Sequence, residues 1–155
     1  MAKIQISTDS DVPADTVLAA ITEFSSRRPK LWPNIDPGVY KVHEVGADWA
    51  DVTEGSSIAG GVWTRERYEW SVPEVVRATV QDSNIFKSGF WEMKVRPSDG
   101  GSHIEILQDR QAKGIKGCLL GGMMTLMGSR VYRQGLDKTL AILRDEKARE
   151  SSPPA

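Results

Sequence analysis

Ile4 and Ile6 alternate with Lys3, Gln5 and Ser7 near the start of the chain, the period-two pattern of a strand with one buried face. Pro13 stands where a helix can begin. Val17, Ile21 and Phe24 follow at spacings of four and three, which predicts a helix over 13–24 with one apolar side. Pro29, Pro33 and Pro37 restrict the stretch 25–38 to one short helical turn between extended pre-proline residues. Short runs rich in Val, Ile, Thr and aromatic residues then predict six more strands, at about 39–45, 49–55, 61–72, 74–81, 90–97 and 102–110. Gly46-Ala47-Asp48, residues 55–61, Val72-Pro73-Glu74, Ser88-Gly89 and Ser98-Asp99-Gly100-Gly101 separate them with turn chemistry. Connections this short join antiparallel neighbours.

After Gly114 and Gly117 the pattern turns helical and holds to about Arg149. Its apolar stripe uses Leu120, Met123, Met124, Met127 and Val131, then moves around to Tyr132, Leu136, Leu140 and Leu143, so this helix must meet more than one neighbour. Strands and helices are segregated along the chain, which predicts the α+β class. The expected architecture is a curved antiparallel sheet of about seven strands, with short helices between the first and second strands. The long C-terminal helix is the only element able to cover most of the sheet's apolar face. One domain is expected over 1–150, with a disordered tail at 151–155.

Composition narrows the function classes. The chain has 20 Lys and Arg against 21 Asp and Glu, so no basic field exists to attract a phosphate backbone, and nucleic acid is excluded as an expected partner. Cys118 is the single cysteine, which rules out an internal disulfide, fits a reducing compartment and reads as a small buried hydrophobe. The polar, acidic start lacks the pattern of a secretory signal, so a cytoplasmic location is expected. The most apolar window, 118–127, is about half of what a membrane span requires and is expected to lie inside the domain.

Two local motifs extend the picture. Leu31-Trp32-Pro33 follows the first helix, and Val62-Trp63-Thr64-Arg65-Glu66-Arg67 lies in the long middle strand. Together with the element order, these residues resemble the START-related superfamily (SRPBCC), closest to its polyketide cyclase/dehydrase and lipid-transport branch, over about Ile4 to Leu143. The resemblance implies a helix-grip fold, with the sheet wrapped around the C-terminal helix and a deep cavity for an apolar ligand. In aromatase/cyclase members the long strand carries Trp-x-Ser-x-Arg, whose Ser and Arg point into the cavity. Trp63 and Arg67 match that pattern, whereas Arg65 stands at the Ser position, which argues against cyclase chemistry and implies a more cationic pocket. Trp32 matches a Trp-Pro pair near the cavity mouth of cyclases.

The middle strand has two faces. Trp63, Arg65, Arg67 and Glu69 share one, and Val62, Thr64, Glu66, Tyr68 and Trp70 share the other. Hydrophobicity places the second set inside and the resemblance places the first set inside; a bulge would accommodate both, so the choice stays open. Facing inward, Arg65 and Arg67 would fork around an anionic or carbonyl oxygen. Facing outward, they would form a solvated Arg/Glu ladder. His43 and His103 have no fixed partner, His103 and Glu105 alternate outward with Ile104 and Ile106, and no metal site or cofactor is expected. Gly117, Gly121 and Gly128 thin the long helix beside the flexible Met123, Met124 and Met127.

The expected function is binding of a hydrophobic small molecule (lipid, polyketide or aromatic) in an internal cavity. Trp32, Trp63, Arg65, Arg67, Trp91, Met124 and Met127 are its expected contacts. The alternatives are an aromatase/cyclase-like enzyme, with Arg67 catalytic on a poly-ketone, and an interaction protein with a collapsed cavity. A monomer or weak homodimer is expected.

Overall fold

The computed structural model describes residues 2–152. The chain runs β1 (Ala2–Ser10), α1 (Ala14–Ile21), α2 (Arg28–Leu31), β2 (Lys41–Val45), β3 (Trp49–Ser56), β4 (Val62–Glu69), β5 (Val75–Ser83), β6 (Phe86–Ser98), β7 (Gly101–Ala112) and α3 (Gly114–Ser151). All neighbouring strands are antiparallel, in the order β1-β7-β6-β5-β4-β3-β2, so the first strand lies beside the last. Of the tail expected from 151, Ser151 closes α3 and residues 153–155 lie outside the described residues.

Alternation along each strand decides which side is buried. On β7, Ser102, Ile104, Ile106, Gln108 and Arg110 are buried, while the residues between them are partly exposed. One row crosses six strands on this concave face: Ile4, Gln108, Trp91, Ala78, Tyr68 and Ala50 pair in turn. On one side of that row the face is apolar, with Ile6, Ile106, Met93 and Val76 in register. Val17 and Ile21 of α1, Leu31 of α2, and Leu136, Leu140 and Leu143 of α3 complete this core. Each such aliphatic side chain contributes about 1.5–3 kcal/mol on full burial.

The helices end where their chemistry dictates. Pro13, with φ −57°, enters α1, and Thr22 leaves it with its Oγ1 donating to the Leu18 carbonyl at 2.9 Å. The helix therefore stops short of Phe24, which packs edge-on against Tyr68 at 5.0 Å and stacks on Trp70 at 5.6 Å. Between β6 and β7, Asp99-Gly100 forms a two-residue loop in which Gly100 supplies the positive φ of 77°.

Two features of packing bear on the site. A bulge between β4 and β5 pairs Arg65 with Asp82 and Glu66 with Val80, leaving Gln81 unpaired. The extra residue is on β5, so alternation along β4 continues undisturbed from Trp63 to Glu69. Beyond it, the Ser83 hydroxyl turns inward, donates to the Trp63 carbonyl at 2.8 Å and accepts from the Ile85 and Phe86 amides at 3.1 Å each.

The second feature is the inner face of α3. Its latter half is anchored by Leu136, Leu140, Leu143 and Thr139, whose hydroxyl donates to the Leu31 carbonyl at 2.8 Å. In its first half the buried positions are Gly117, Gly121 and Gly128. A Cβ at Gly117 would stand 2.3 Å from the Ile85 carbonyl oxygen, so the helix backbone lies against the β5–β6 turn. This arrangement overturns two expectations. The window 118–127 is largely exposed rather than internal, and Cys118 is exposed rather than buried, because glycines occupy the facing stripe and push the large side chains outward. No helix among the described residues is long and apolar enough to cross a membrane.

Candidate functional site

On the other side of the central row, the concave face turns polar under the first half of α3. Glu66 of β4 and Arg110 of β7 form an ion pair with both side chains buried. Arg110 also stacks its guanidinium over Phe86, 5.0 Å from the ring centroid. Gln108, two residues earlier on the same face, is fully buried and accepts the Tyr132 hydroxyl through Oε1. A second pair joins the buried Arg28 of α2 to Glu54 of β3, which is partly buried. Arg28 Nη1 donates to the Ile21 and Glu23 carbonyls at 2.7 and 3.1 Å, and the Tyr68 hydroxyl donates to Glu54 Oε2 at 2.9 Å. Trp91, on the central row, is 6.3 Å from Tyr68 between ring centroids.

Buried polar groups are ordinarily hydrogen-bonded throughout, because an unmet donor forfeits its solvation. Here Gln108 Nε2 and Arg110 Nε are buried and have no partner among the described residues. Both sit on one strand face, two residues apart. They are two N–H donors aimed into the protein interior with only Gln108 Oε1, Glu66 and Phe86 accounting for the rest of their side chains. Tyr40 has an unmet buried hydroxyl as well, and burial pushes its pKa up to about 12.

Charge burial sets the titration of the cluster. Burial raises the Glu66 carboxyl above the usual carboxylate range, against the pull of Arg110, and nearby Glu54 adds to the rise. Burial, the largest influence, would lower Arg110, but attraction to Glu66 together with Tyr132, Tyr68 and Glu54 outweighs it and holds the guanidinium charged. The Tyr68 and Tyr132 hydroxyls are pushed up, chiefly by burial, and stay neutral donors.

The family described as polyketide cyclase / dehydrase and lipid transport matches residues 1–143. The chain belongs to that family. Solved structures agree on the fold. An aromatase/cyclase of Streptomyces sp. R1128 superposes with a TM-score of 0.72 at 13% identity, covering 92% of this chain and 93% of the other. A Thermus thermophilus protein gives 0.71 at 11% identity, and a START superfamily protein of Mycobacterium smegmatis gives 0.67 at 11%; each covers 97% of this chain and 99% of its own. Among curated proteins none matches the sequence significantly. At such identities the likeness establishes the helix-grip fold alone.

Within this polyketide cyclase / dehydrase and lipid transport fold, the residues expected to line the site separate into two groups. Trp91 is on the concave face; Trp32 packs against the core with Nε1 donating to the Ala20 carbonyl at 3.0 Å, and Met124 packs there too. Trp63, Arg65 and Arg67 are on the opposite face. Arg65 binds Asp51 through two hydrogen bonds of 2.9 and 2.7 Å, which holds the Asp51 carboxyl below its usual range. Arg67 lies over the Trp49 ring at 4.2 Å and beside Glu69 at 3.5 Å. The inward fork is therefore corrected to an outer ladder, because the bulge on β5 leaves the parity of β4 intact. Met127 is likewise corrected to a surface position. His103 faces outward to Asp9 at 2.7 Å and Ser7 at 3.1 Å, and His43 meets Thr53 Oγ1 at 2.8 Å.

Two hollows among the described residues lie elsewhere. One, of about 330 Å³, is lined by Asp11, Val12, Leu143 and Arg144; the other, of about 170 Å³, by Leu18, Trp70 and residues 72–76. Neither is a deep cavity beneath α3. Gln108 and Arg110 were readable in principle, since the alternation that buries Ile104 and Ile106 continues through 108 and 110. Their polarity hid them.

Proposed function

We propose that this protein binds an apolar small molecule that carries a neutral oxygen acceptor. The carrying observation is the pair of unmet, buried donors, Gln108 Nε2 and Arg110 Nε, on one face of β7. A carbonyl or ester oxygen can accept from both, while the apolar body lies along Trp91, Phe86 and Met124. The polar end is neutral because Glu66 already balances the Arg110 charge; an added carboxylate would face Glu66 across a dry interior. The named activities of similar structures, aromatase/cyclase among them, accord with an apolar, oxygen-bearing ligand. Room for the body comes from displacing the first half of α3, which meets the sheet through glycines.

Calorimetric titration with methyl octanoate and with octanoate tests this reading. The ester should bind, the free acid at least tenfold more weakly, and Gln108→Leu should weaken the ester about tenfold for one lost hydrogen bond to a buried group. Arg65→Ala and Arg67→Ala should bind like the parent protein. Equal binding by Gln108→Leu, or loss on Arg65→Ala, would move the site off β7. An enzymatic reading rests on Glu66, the buried carboxyl with a raised pKa, in place of Arg67. Its mark would be turnover of a poly-ketone lost in Glu66→Gln and retained in Arg67→Ala.

A further inference from the structure

The first half of α3 presents an apolar surface to solvent. Ile115 is 83% exposed, Leu119 68%, Met123 59%, Leu126 87%, Met127 54% and Val131 58%. Spacings of three and four keep Ile115, Leu119, Met123 and Leu126 on the side away from the inner glycines, with Met127 and Val131 on its flank. Over the helical rise of about 1.5 Å per residue, Ile115 to Met127 extends about 18 Å. Ile58, 66% exposed, adds to it from the β3–β4 loop, which Lys116 Nζ holds through the Gly61 carbonyl at 3.0 Å. A contiguous patch of this kind marks an interaction surface.

The charges around the patch identify the partner. Lys113 and Lys116 stand at one end, and Arg130 and Arg133 at the other, all exposed. No Asp or Glu occurs between Lys113 and Asp137, in a chain whose net charge is −1. Lys113 has Asp82 at 4.0 Å, which offsets part of its charge. The helix cannot span a bilayer. An apolar face bracketed by cations is suited instead to lie in the plane of an anionic surface, with side chains in the acyl boundary and basic groups on phosphates. A second copy fits poorly, because two-fold pairing of this face sets its cations against their own kind.

We propose that the first half of α3 docks this protein on bilayers of anionic phospholipid. The inference is independent of the ligand read from Gln108 and Arg110. Co-sedimentation of the full chain with phosphatidylcholine vesicles, with and without phosphatidylserine, tests it. Binding should require phosphatidylserine and fall as salt is added. Leu119→Glu with Leu126→Glu should reduce it more than tenfold, with circular dichroism unchanged because both side chains are exposed. Lys116→Ala with Arg130→Ala should weaken it about 25-fold, about fivefold per cation. Equal, weak recovery on both vesicle types overturns the proposal. So does binding that salt leaves unchanged, or a solution dimer dispersed by the leucine substitutions in a protein that ignores vesicles.

Discussion

Removing one partner of the Glu66–Arg110 pair should have consequences that depend on which partner goes. The two side chains are only 5% and 10% exposed, so the near-zero value of surface ion pairs does not apply. Breaking a buried pair from one side costs about 3–5 kcal/mol, because the other charge stays behind in a medium that cannot solvate it. Glu66→Leu strands a guanidinium that cannot shed its proton, so the variant gains nothing in acid, and its deficit should grow toward low pH, where the parent is stabilised by the raised Glu66 pKa. Arg110→Leu strands a carboxyl that burial already holds above the usual range and that loses the lowering influence of Arg110. A folded-state pKa above the unfolded value adds stability below the unfolded pKa and loses it as pH rises through the folded pKa. The deficit of Arg110→Leu should therefore be full at neutral pH and shrink toward pH 4.5, the reference value for Glu66. Urea unfolding of both variants across that range measures the difference; at neutral pH each midpoint temperature should fall by roughly 6–20 °C. The double variant Glu66→Leu with Arg110→Leu, which removes both charges, should recover most of the loss. Deficits below about 1 kcal/mol, or parallel pH profiles for the two single variants, would refute the buried pair.

Two further expectations concern α3. Gly117→Ala, whose new Cβ would meet the Ile85 carbonyl oxygen at 2.3 Å, should cost about 1–3 kcal/mol, whereas Gly122→Ala, with nothing within 4 Å, should gain about 0.5–1 kcal/mol; urea midpoints separate the two signs. Thr139→Val removes the buried donor to the Leu31 carbonyl and should cost about 1–3 kcal/mol in the same assay, with the m-value unchanged.

How legible all this was in the sequence depends on which signal each residue gave. Strands such as β1 and β7 follow from alternation alone, because Ile4, Ile6, Ile104 and Ile106 repeat every second residue and end at turn chemistry. The latter half of α3 follows from Leu136, Leu140 and Leu143 in the same way. Its first half does not. Leu119, Met123 and Leu126 have a core-like composition, and only the contact of Gly117 with Ile85, fixed by tertiary structure, shows that they face out. On β4 the alternation pointed to Thr64, Glu66 and Tyr68 as the inner set, while the motif around Trp63 and Arg67 pointed the other way; geometry followed the alternation. The charged pairs were hidden because Glu54, Glu66 and Arg110 each look solvent-exposed singly, and their partners are 26 and 44 residues distant.

Gln81 has an outsized influence on what β5 tolerates. Because it is the surplus residue opposite β4, drawing it into regular pairing would swing the Ser83 hydroxyl to the convex side, away from the Trp63 carbonyl and two amides at the hairpin bend, whereas deleting it leaves Asp82 against Arg65 and Ser83 against Thr64. Point changes at Gln81 are cheap by comparison, since its side chain lies in solvent. The strand can thus lose a residue at this point and keep both of its faces.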